Sequence, residues 1–360
     1  MGLAETMKKL SIIIVNYNTC GALLDCLQSL RQHGPKADLE TIVIDNASTD
    51  SSVARVEAQF PEVIVIANAE NRGFSAANNQ GLQRATGDHL LLLNSDTLVK
   101  AGALDALALC LEEHTRVGIA SCQLLNADGS PQLTHNVVPN LPMLFAQATG
   151  ARRLFSRQSL ARLASLLPGF LLPKTLRVYL QPYKNPRLGG TESYDLPGQS
   201  YLSGACLMIR RACLEDIGLL DENFFLYCED ADLCLRAQAA GWKLRFLPGP
   251  RIVHLVGRSA GPSYREISWE AHKSTLYFFR KHRGFLAFLL AKGLVSLMVM
   301  RMILTGLWRR NPPVSLKRGA NLLWSVLGAW SFPPRREPRL ESGQLAAVDR
   351  SGTCSIAEFT

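Results

Sequence analysis

Several diagnostic features are missing from this chain of 360 residues. Its nine cysteines, at 20, 26, 110, 122, 206, 213, 228, 234 and 354, form no CxxC pair and are odd in number. That speaks against a disulfide scaffold and for reduced, mostly buried thiols. The turn after the first apolar run carries neither GxGxxG nor GxxxxGK, which disfavours an ordinary dinucleotide fold and a P-loop enzyme. Met1 to Lys9 has no apolar core ahead of a small-residue cleavage site, so the cytoplasm is the expected compartment. Compositional extremes are also missing: 47% hydrophobic and 19% charged residues describe an ordinary globular chain.

Acidic residues are scarce in two stretches only. Residues 280–340 hold twelve Lys or Arg against Glu337 alone, and residues 151–190 hold eight Lys or Arg and no acid. The formal net charge of +9 therefore sits on two islands, and everything outside them sums to −10. Two islands are not a basic domain. With no recognition helix, RNP strand or zinc spacing, nucleic acid is not an expected partner.

Apolar runs at Leu10–Val15, 41–44, 63–67, 89–93 and 117–120 alternate with helical patterns. The first helix places Leu23, Leu24, Leu27 and Leu30 on one face and stops at Gly34-Pro35; others fall near 51–59, 75–85 and 101–113. Runs without polar alternation suit strands buried on both faces, and the βα repeat implies an α/β fold with parallel strands and right-handed crossovers. Residues 139–190, proline-rich and basic, read as a long excursion. Tyr201 to Arg210 then reads as a strand, Asp221 to Trp242 as a helical segment, and Ile252-Val253-His254 as a short strand.

Ligands on such sheets bind at the carboxyl ends of strands. Those ends carry Asn16-Tyr17-Asn18-Thr19, Asp45-Asn46-Ala47-Ser48-Thr49-Asp50 and Asn94-Ser95-Asp96-Thr97. Together with Asn71-Arg-Gly-Phe-Ser-Ala-Ala-Asn-Asn79, Leu202-Ser-Gly-Ala205, Tyr227-Cys-Glu-Asp-Ala-Asp-Leu-Cys-Leu-Arg236 and His254 followed by Gly257 and Ser259, they make the chain resemble the family 2 glycosyltransferases, in particular their bacterial rhamnosyltransferase-like branch. The likeness spans about residues 10–260. It implies a GT-A fold, a Rossmann-like mixed sheet flanked by helices, and inverting transfer of a sugar, a deoxyhexose such as rhamnose, from a dTDP- or UDP-sugar to a hydroxyl of a glycan or polyprenyl-diphosphate-linked acceptor.

The residue chemistry agrees with that role. Tyr17 at a strand end suits stacking on a base, Asp45 accepts from a pyrimidine nitrogen, and Arg72 supplies charge; by resemblance Val15 and Asn71 join this nucleotide group. Asp96 is the expected ligand of a divalent cation, Mg2+ or Mn2+, shared with the donor phosphates, and His254 is the second. Where the family's DxD motif begins with Asp this chain has Asn94, so fewer protein charges hold the metal. Asp230 is the expected general base with Glu229 beside it. Ser203, Gly204, Asn94 and Asp232 are expected at the donor and acceptor. Glu229 and Asp232 share a helix face, and Asp230 stands about 100° round from Glu229. Acids in a first helical turn are also favoured by the helix dipole alone.

Phe285 to Trp308 is apolar except for Lys292 and Arg301, with Arg280-Lys281-His282-Arg283 before it and Arg309-Arg310 after it. Its length permits a membrane span. Two interior cations favour an interfacial helix, with a second apolar stretch at Leu322–Trp330. The expected layout is a catalytic unit over 1–265, a helical membrane-associating region over 266–335 and a flexible tail over 336–360, at the cytoplasmic face of the inner membrane. The competing readings are a nucleotide-sugar-binding membrane scaffold without turnover and a nucleotidyltransferase. Asp96, Asp230 and His254 together disfavour the first, and the missing phosphate loop disfavours the second.

Overall fold

In the computed structural model the described residues are 9–35, 38–150, 192–255, 264–307 and 328. Most of the basic excursion, Gly257, Ser259, Arg309-Arg310, the second apolar stretch and the tail after 336 lie outside them.

The alternating half folds as its apolar runs dictate. Strands β1 (Leu10–Asn16), β2 (Leu39–Asp45), β3 (Ile64–Ala67) and β4 (His89–Asn94) are parallel and ordered β3-β2-β1-β4, with helices α1 (Cys20–His33), α2 (Ser52–Gln59) and α3 (Phe74–Arg84) between them. Both faces of β1 and β4 are buried. Ile12, Ile14, Leu91 and Leu93 join one core with α1, while Ile13, Leu90 and Leu92 join the other with α3. Then follow β5 (Thr97–Val99), α4 (Ala103–Glu113), β6 (Val117–Leu125), β7 (His135–Val137) and α5 (Leu141–Thr149).

The second half breaks the parallel pattern. The expected single strand from Tyr201 is divided: β8 (Tyr194–Asp195) is followed by β9 (Ser200–Leu202), which leaves the main sheet to pair with β7, and then by β10 (Cys206–Arg210). Ser203-Gly204 forms the break. β10 inserts antiparallel between β4 and β6, with Cys206 opposite Leu93. Helices α6 (Arg211–Ile217) and α7 (Glu229–Ala239) precede β11 (Lys243–His254), a strand far longer than Ile252-Val253-His254. β11 runs parallel to β6, with a register shift between Leu247 and Arg251, and its end pairs antiparallel with β5 so that His254 faces Thr97.

Two further helices, α8 (Tyr264–His282) and α9 (Gly284–Leu307), form a hairpin turned at Gly284, whose φ of +80° favours a residue without Cβ. Leu276, Phe279, Phe288, Ala291 and Val295 bury with Leu144 of α5, and Tyr277 and Phe278 bury with Phe224 and Ala231. The cations expected at a membrane surface turn inward here. Lys281 Nζ lies 2.8 Å from both Asp221 Oδ2 and Asp232 Oδ1, His282 Nε2 is 2.6 Å from Asp232 Oδ1, and Arg283 bonds Gln199. Arg301 donates to the Gln147 and Ala148 carbonyls at the C-terminal end of α5, and Lys292 is buried. Two cations nine residues apart thus coexist on one apolar helix: Arg301 bonds the end of α5, and Lys292 lies over the Phe288 ring.

Asp232 anchors the hairpin. Burial alone would raise its pKa, but the His282 hydrogen bond and the Arg236 and Lys281 cations hold it well below the usual carboxylate range. Asp232→Asn should therefore lose about 3–5 kcal/mol of unfolding free energy, because it strands buried cations. A group with depressed folded pKa stabilises above its unfolded value, near 4, and loses that contribution as pH falls. Urea denaturation should accordingly show the wild-type advantage at neutral pH and its shrinkage in acid.

Candidate active site

Three parallel strands end level. Asn16 of β1 stands beside Asp45 of β2, and Val15 beside Asn94 of β4. An apolar strand that ends in a polar residue must satisfy that residue locally, and the side chains of Asn16 and Asp45 satisfy one another. Asn16 Nδ2 donates to Asp45 Oδ1 at 2.8 Å and to Ser48 Oγ at 3.1 Å, and Thr19 Oγ1 donates to Asn16 Oδ1 at 2.6 Å. Asp45 Oδ2 accepts from the Ser48 amide at 2.9 Å. Tyr17 projects from this edge, 44% exposed.

A second loop closes beside it. Asn46 is the hub: its amide donates to Asn71 Oδ1 at 2.8 Å and to the Gly73 carbonyl, and its oxygen accepts from the Arg72 amide at 3.0 Å. Asn71 is thus occupied in shaping its own loop, since its oxygen also accepts from the Gly73 amide. The Arg72 side chain stays exposed. Gly73, at φ +83°, abuts Phe225; a Cβ there would meet the Phe225 carbonyl oxygen at 2.8 Å. The amide of Phe74 donates to that same carbonyl, joining the loop to the approach of α7.

The antiparallel insertion brings in the rest. Because β10 starts where β4 ends, the residues before it reach the same edge: the Asn94 amide donates to the Ala205 carbonyl at 3.1 Å. The neighbouring Gly204 amide donates to Asp230 Oδ2 at 3.0 Å. Ser203 shapes this turn, its amide donating to the Thr134 carbonyl. On the other side, the pairing of β11 with β5 sets His254 against the β4–β5 turn, with Nε2 3.3 Å from Asp96 Oδ1 and 3.3 Å from Asn94 Nδ2. Asp96 is 2% exposed.

The acids opening α7 differ by environment. Glu229 is buried and its pKa is raised by that burial and by the charge of Asp230; its Oε2 has no hydrogen-bond partner among the described residues. Asp230 is partly open to solvent, and burial of its carboxyl pushes it up to about 6 against the pull of the Gly204 and Ala231 amides. Asp232 points away, to Arg236 and α8, and is not grouped with the other acids at the edge. Tyr227 and Cys228 enter the helix with φ of 69° and 67°, two successive left-handed non-glycine residues of a kind that gathers at functional sites.

The buried Asn94 Oδ1 has no partner among the described residues, and it stands with the Asp96 carboxylate and the His254 imidazole. Oxygen and imidazole donors suit Mg2+ or Mn2+. Among the described residues no group of three or more His, Cys, Asp or Glu comes together, so an ion here needs donor oxygens from a ligand as well. Asn16, Asn46 and Thr19 belong to this edge although sequence reasoning did not single them out; for Asn16 the signal was its place at the end of an apolar strand.

The chain matches the family described as Glycosyl transferase family 2 over residues 11–159 and Glycosyl transferase family group 2 over residues 194–332. It is 25% identical over 287 residues to the N-acetylglucosaminyl-diphospho-decaprenol L-rhamnosyltransferase of Mycobacterium tuberculosis, covering 76% of this chain and 85% of that protein. A hexosyltransferase of low-salt glycan biosynthesis from Haloferax volcanii is 27% identical over 233 residues, 64% of this chain and 61% of its own length. Among solved structures, GalNAc-T7 with UDP, GalNAc and Mn2+ superposes with a TM-score of 0.50 at 18% identity, over 76% of this chain and 50% of that one. With matches to family 2 in both halves and a mixed α/β sheet whose strand ends gather one polar edge, the chain is a GT-A glycosyltransferase belonging to glycosyltransferase family 2.

Proposed function

We propose that this enzyme transfers a deoxyhexose, rhamnose by the likeness to the mycobacterial enzyme, with inversion, from a dTDP- or UDP-sugar to a hydroxyl of a polyprenyl-diphosphate-linked glycan. The observation that carries an inverting transfer is the adjacency of Gly204 and Ala205. One holds Asp230 and the other holds Asn94, so one turn ties the acid of α7 to the polar end of β4.

In this reading Tyr17 stacks on the base, Val15 and Asp45 border it, and the loop of Asn71 presents Arg72 to the diphosphate. The acceptor hydroxyl oxygen bonds to the anomeric carbon as Asp230 takes its proton. The bond from anomeric carbon to phosphate oxygen breaks on the opposite face, and its electron pair leaves with the nucleoside diphosphate beside Arg72. Asp96 and His254 would hold a divalent cation, which when bound supplies positive charge to the departing diphosphate. GalNAc-T7 was solved with Mn2+, which supports the same for this chain. Asn94 and Ser203 border the transferred sugar; burial raises the pKa of Glu229, while the Gly204 and Ala231 amides favour the ionised form of Asp230.

A thermal-shift and hydrolysis panel of dTDP- and UDP-sugars, with and without Mg2+ or Mn2+, tests the donor. A dTDP-deoxyhexose should give the largest metal-enhanced shift; equal silence toward all donors favours the scaffold reading. Asp230→Asn should cut turnover by at least a thousandfold and leave donor binding within about twofold. Because the base must be ionised and its pKa is about 6, kcat/KM should fall tenfold per pH unit below that value.

The same reading places the enzyme on a membrane surface. Gly284–Leu304 is long and apolar enough to cross a membrane, but one face of α9 is packed on the protein. The opposite face exposes Leu286, Leu290, Leu297, Met300 and Leu304, within about 40° of one line on a 3.6-residue helix. A helix that shares one face with the protein body cannot be ringed by lipid, so it lies in the interface. Flotation with phospholipid vesicles should recover the wild type with the lipid, and L286Q/L290Q/L297Q should leave it at the bottom of the gradient at unchanged melting temperature.

A further inference from the structure

His254 has its ring held on both sides, and only one side belongs to the cation pair. Nδ1 lies 3.1 Å from Gln132 Oε1. The orientation of the Gln132 amide follows from its other contacts: Nε2 sits 2.6 Å from the His254 carbonyl oxygen and 3.2 Å from that of Leu125. Carbonyl oxygens only accept, so the amide nitrogen must face them, and Oε1 must face the ring. An amide oxygen also only accepts, so Nδ1 carries the proton. In the neutral ring the other nitrogen, Nε2, then presents a lone pair. It faces Asn94 Nδ2, a donor that suits it, and Asp96 Oδ1, an acceptor that does not. A lone pair beside a carboxylate oxygen at 3.3 Å is the arrangement that a cation relieves.

Gln132 is itself held in place. Its amide donates to the Leu124 carbonyl at 2.8 Å, its carbonyl accepts from Gln123 Nε2 at 2.9 Å, and the preceding Pro131 bridges to Leu125 at the end of β6. The side chain therefore projects from a backbone tied to the sheet.

We propose that Gln132 is a positioning residue that fixes the Nδ1–H form of His254 and so keeps the Nε2 lone pair directed toward Asp96 for a divalent cation. The proposal rests on the reading of Asp96 and His254 as the cation pair. Second partners of this kind typically change metal affinity by about 10- to 100-fold.

Two measurements separate the clamp from the cation site. In the metal-free full chain at mildly alkaline pH, long-range 1H–15N correlations of the His254 ring should report a protonated Nδ1 and a bare Nε2; a protonated Nε2 overturns the proposal whatever the metal does. With UDP present to supply donor oxygens, Mn2+ binding, followed by the electron paramagnetic resonance signal of free Mn2+, should weaken about 10- to 100-fold in Gln132→Met. Metal-free UDP or dTDP binding should stay unchanged in this variant. A folded Gln132→Met that binds Mn2+ like wild type overturns the proposal. A wild type that binds no Mn2+ beyond what UDP itself holds overturns the cation reading instead, and the ring correlations then decide the clamp alone.

Discussion

Everything at the polar edge depends on strands that end level. In a sheet buried on both faces the strand interiors admit almost nothing but Ile, Leu and Val, so polar chemistry is confined to the ends, where backbone pairing stops. The register of β1 with β2 and β4 puts Asn16 beside Asp45 and Asn94 beside Val15, at one end of the sheet. Asn16 and Asp45 cannot be solvated as they would be in a loop, for both are almost wholly buried. Their hydrogen bonds to one another, to Ser48 and to Thr19 are what makes the edge rigid. A rigid edge costs little reorganisation when a charged ligand arrives.

The antiparallel β10 extends this logic to the second half of the chain. A parallel strand in its place would send the preceding turn to the far end of the sheet. Running antiparallel, β10 delivers Ser203, Gly204 and Ala205 to the carboxyl end of β4, and Gly204 then captures the first turn of α7. That turn shows how solvation sorts identical chemistry. Glu229 is buried without a countercharge, Asp230 has two backbone amides, and Asp232 has Arg236, Lys281 and His282. The three environments shift three acids within four positions differently, and Asp230 is the one left to exchange a proton near pH 6.

The first half was legible because its signals are local. Leu10–Val15 and His89–Leu93 are continuous apolar runs, and Asp45 and Asn94 stand at their natural places as strand ends. The division of Tyr201–Arg210 was not legible, because β9 and β10 choose different sheets and the choice is made by partners far off in sequence. Charge misled in the same manner. Lys281, His282 and Arg301 look like surface cations in a sequence, yet their partners are Asp221, Asp232 and the end of α5. Sequence shows that a cation exists, not what faces it. Gln132 left no signal at all: it is one polar residue in a polar loop, and only the two carbonyls that orient its amide give it meaning.

The hairpin of α8 and α9 changes what the net charge of +9 means for the described part of the chain. Of the four residues from Arg280 to Arg283, only Arg280 is exposed, where it lies against the Phe285 ring. The attraction between this segment and a lipid surface, on the reading proposed above, therefore comes from leucine area rather than from lysine charge. The inward cations have a different consequence. Lys281 and His282 bind Asp232, two residues from Asp230 on the same helix, while Gly204 binds Asp230 from the sheet side. Helix α7 is thus held between the sheet and the hairpin. A hairpin resting on a surface by the outer face of α9 would then set the acids of α7 at a fixed height and tilt above that surface, which is the geometry a transferase needs if its acceptor is itself anchored in the lipid.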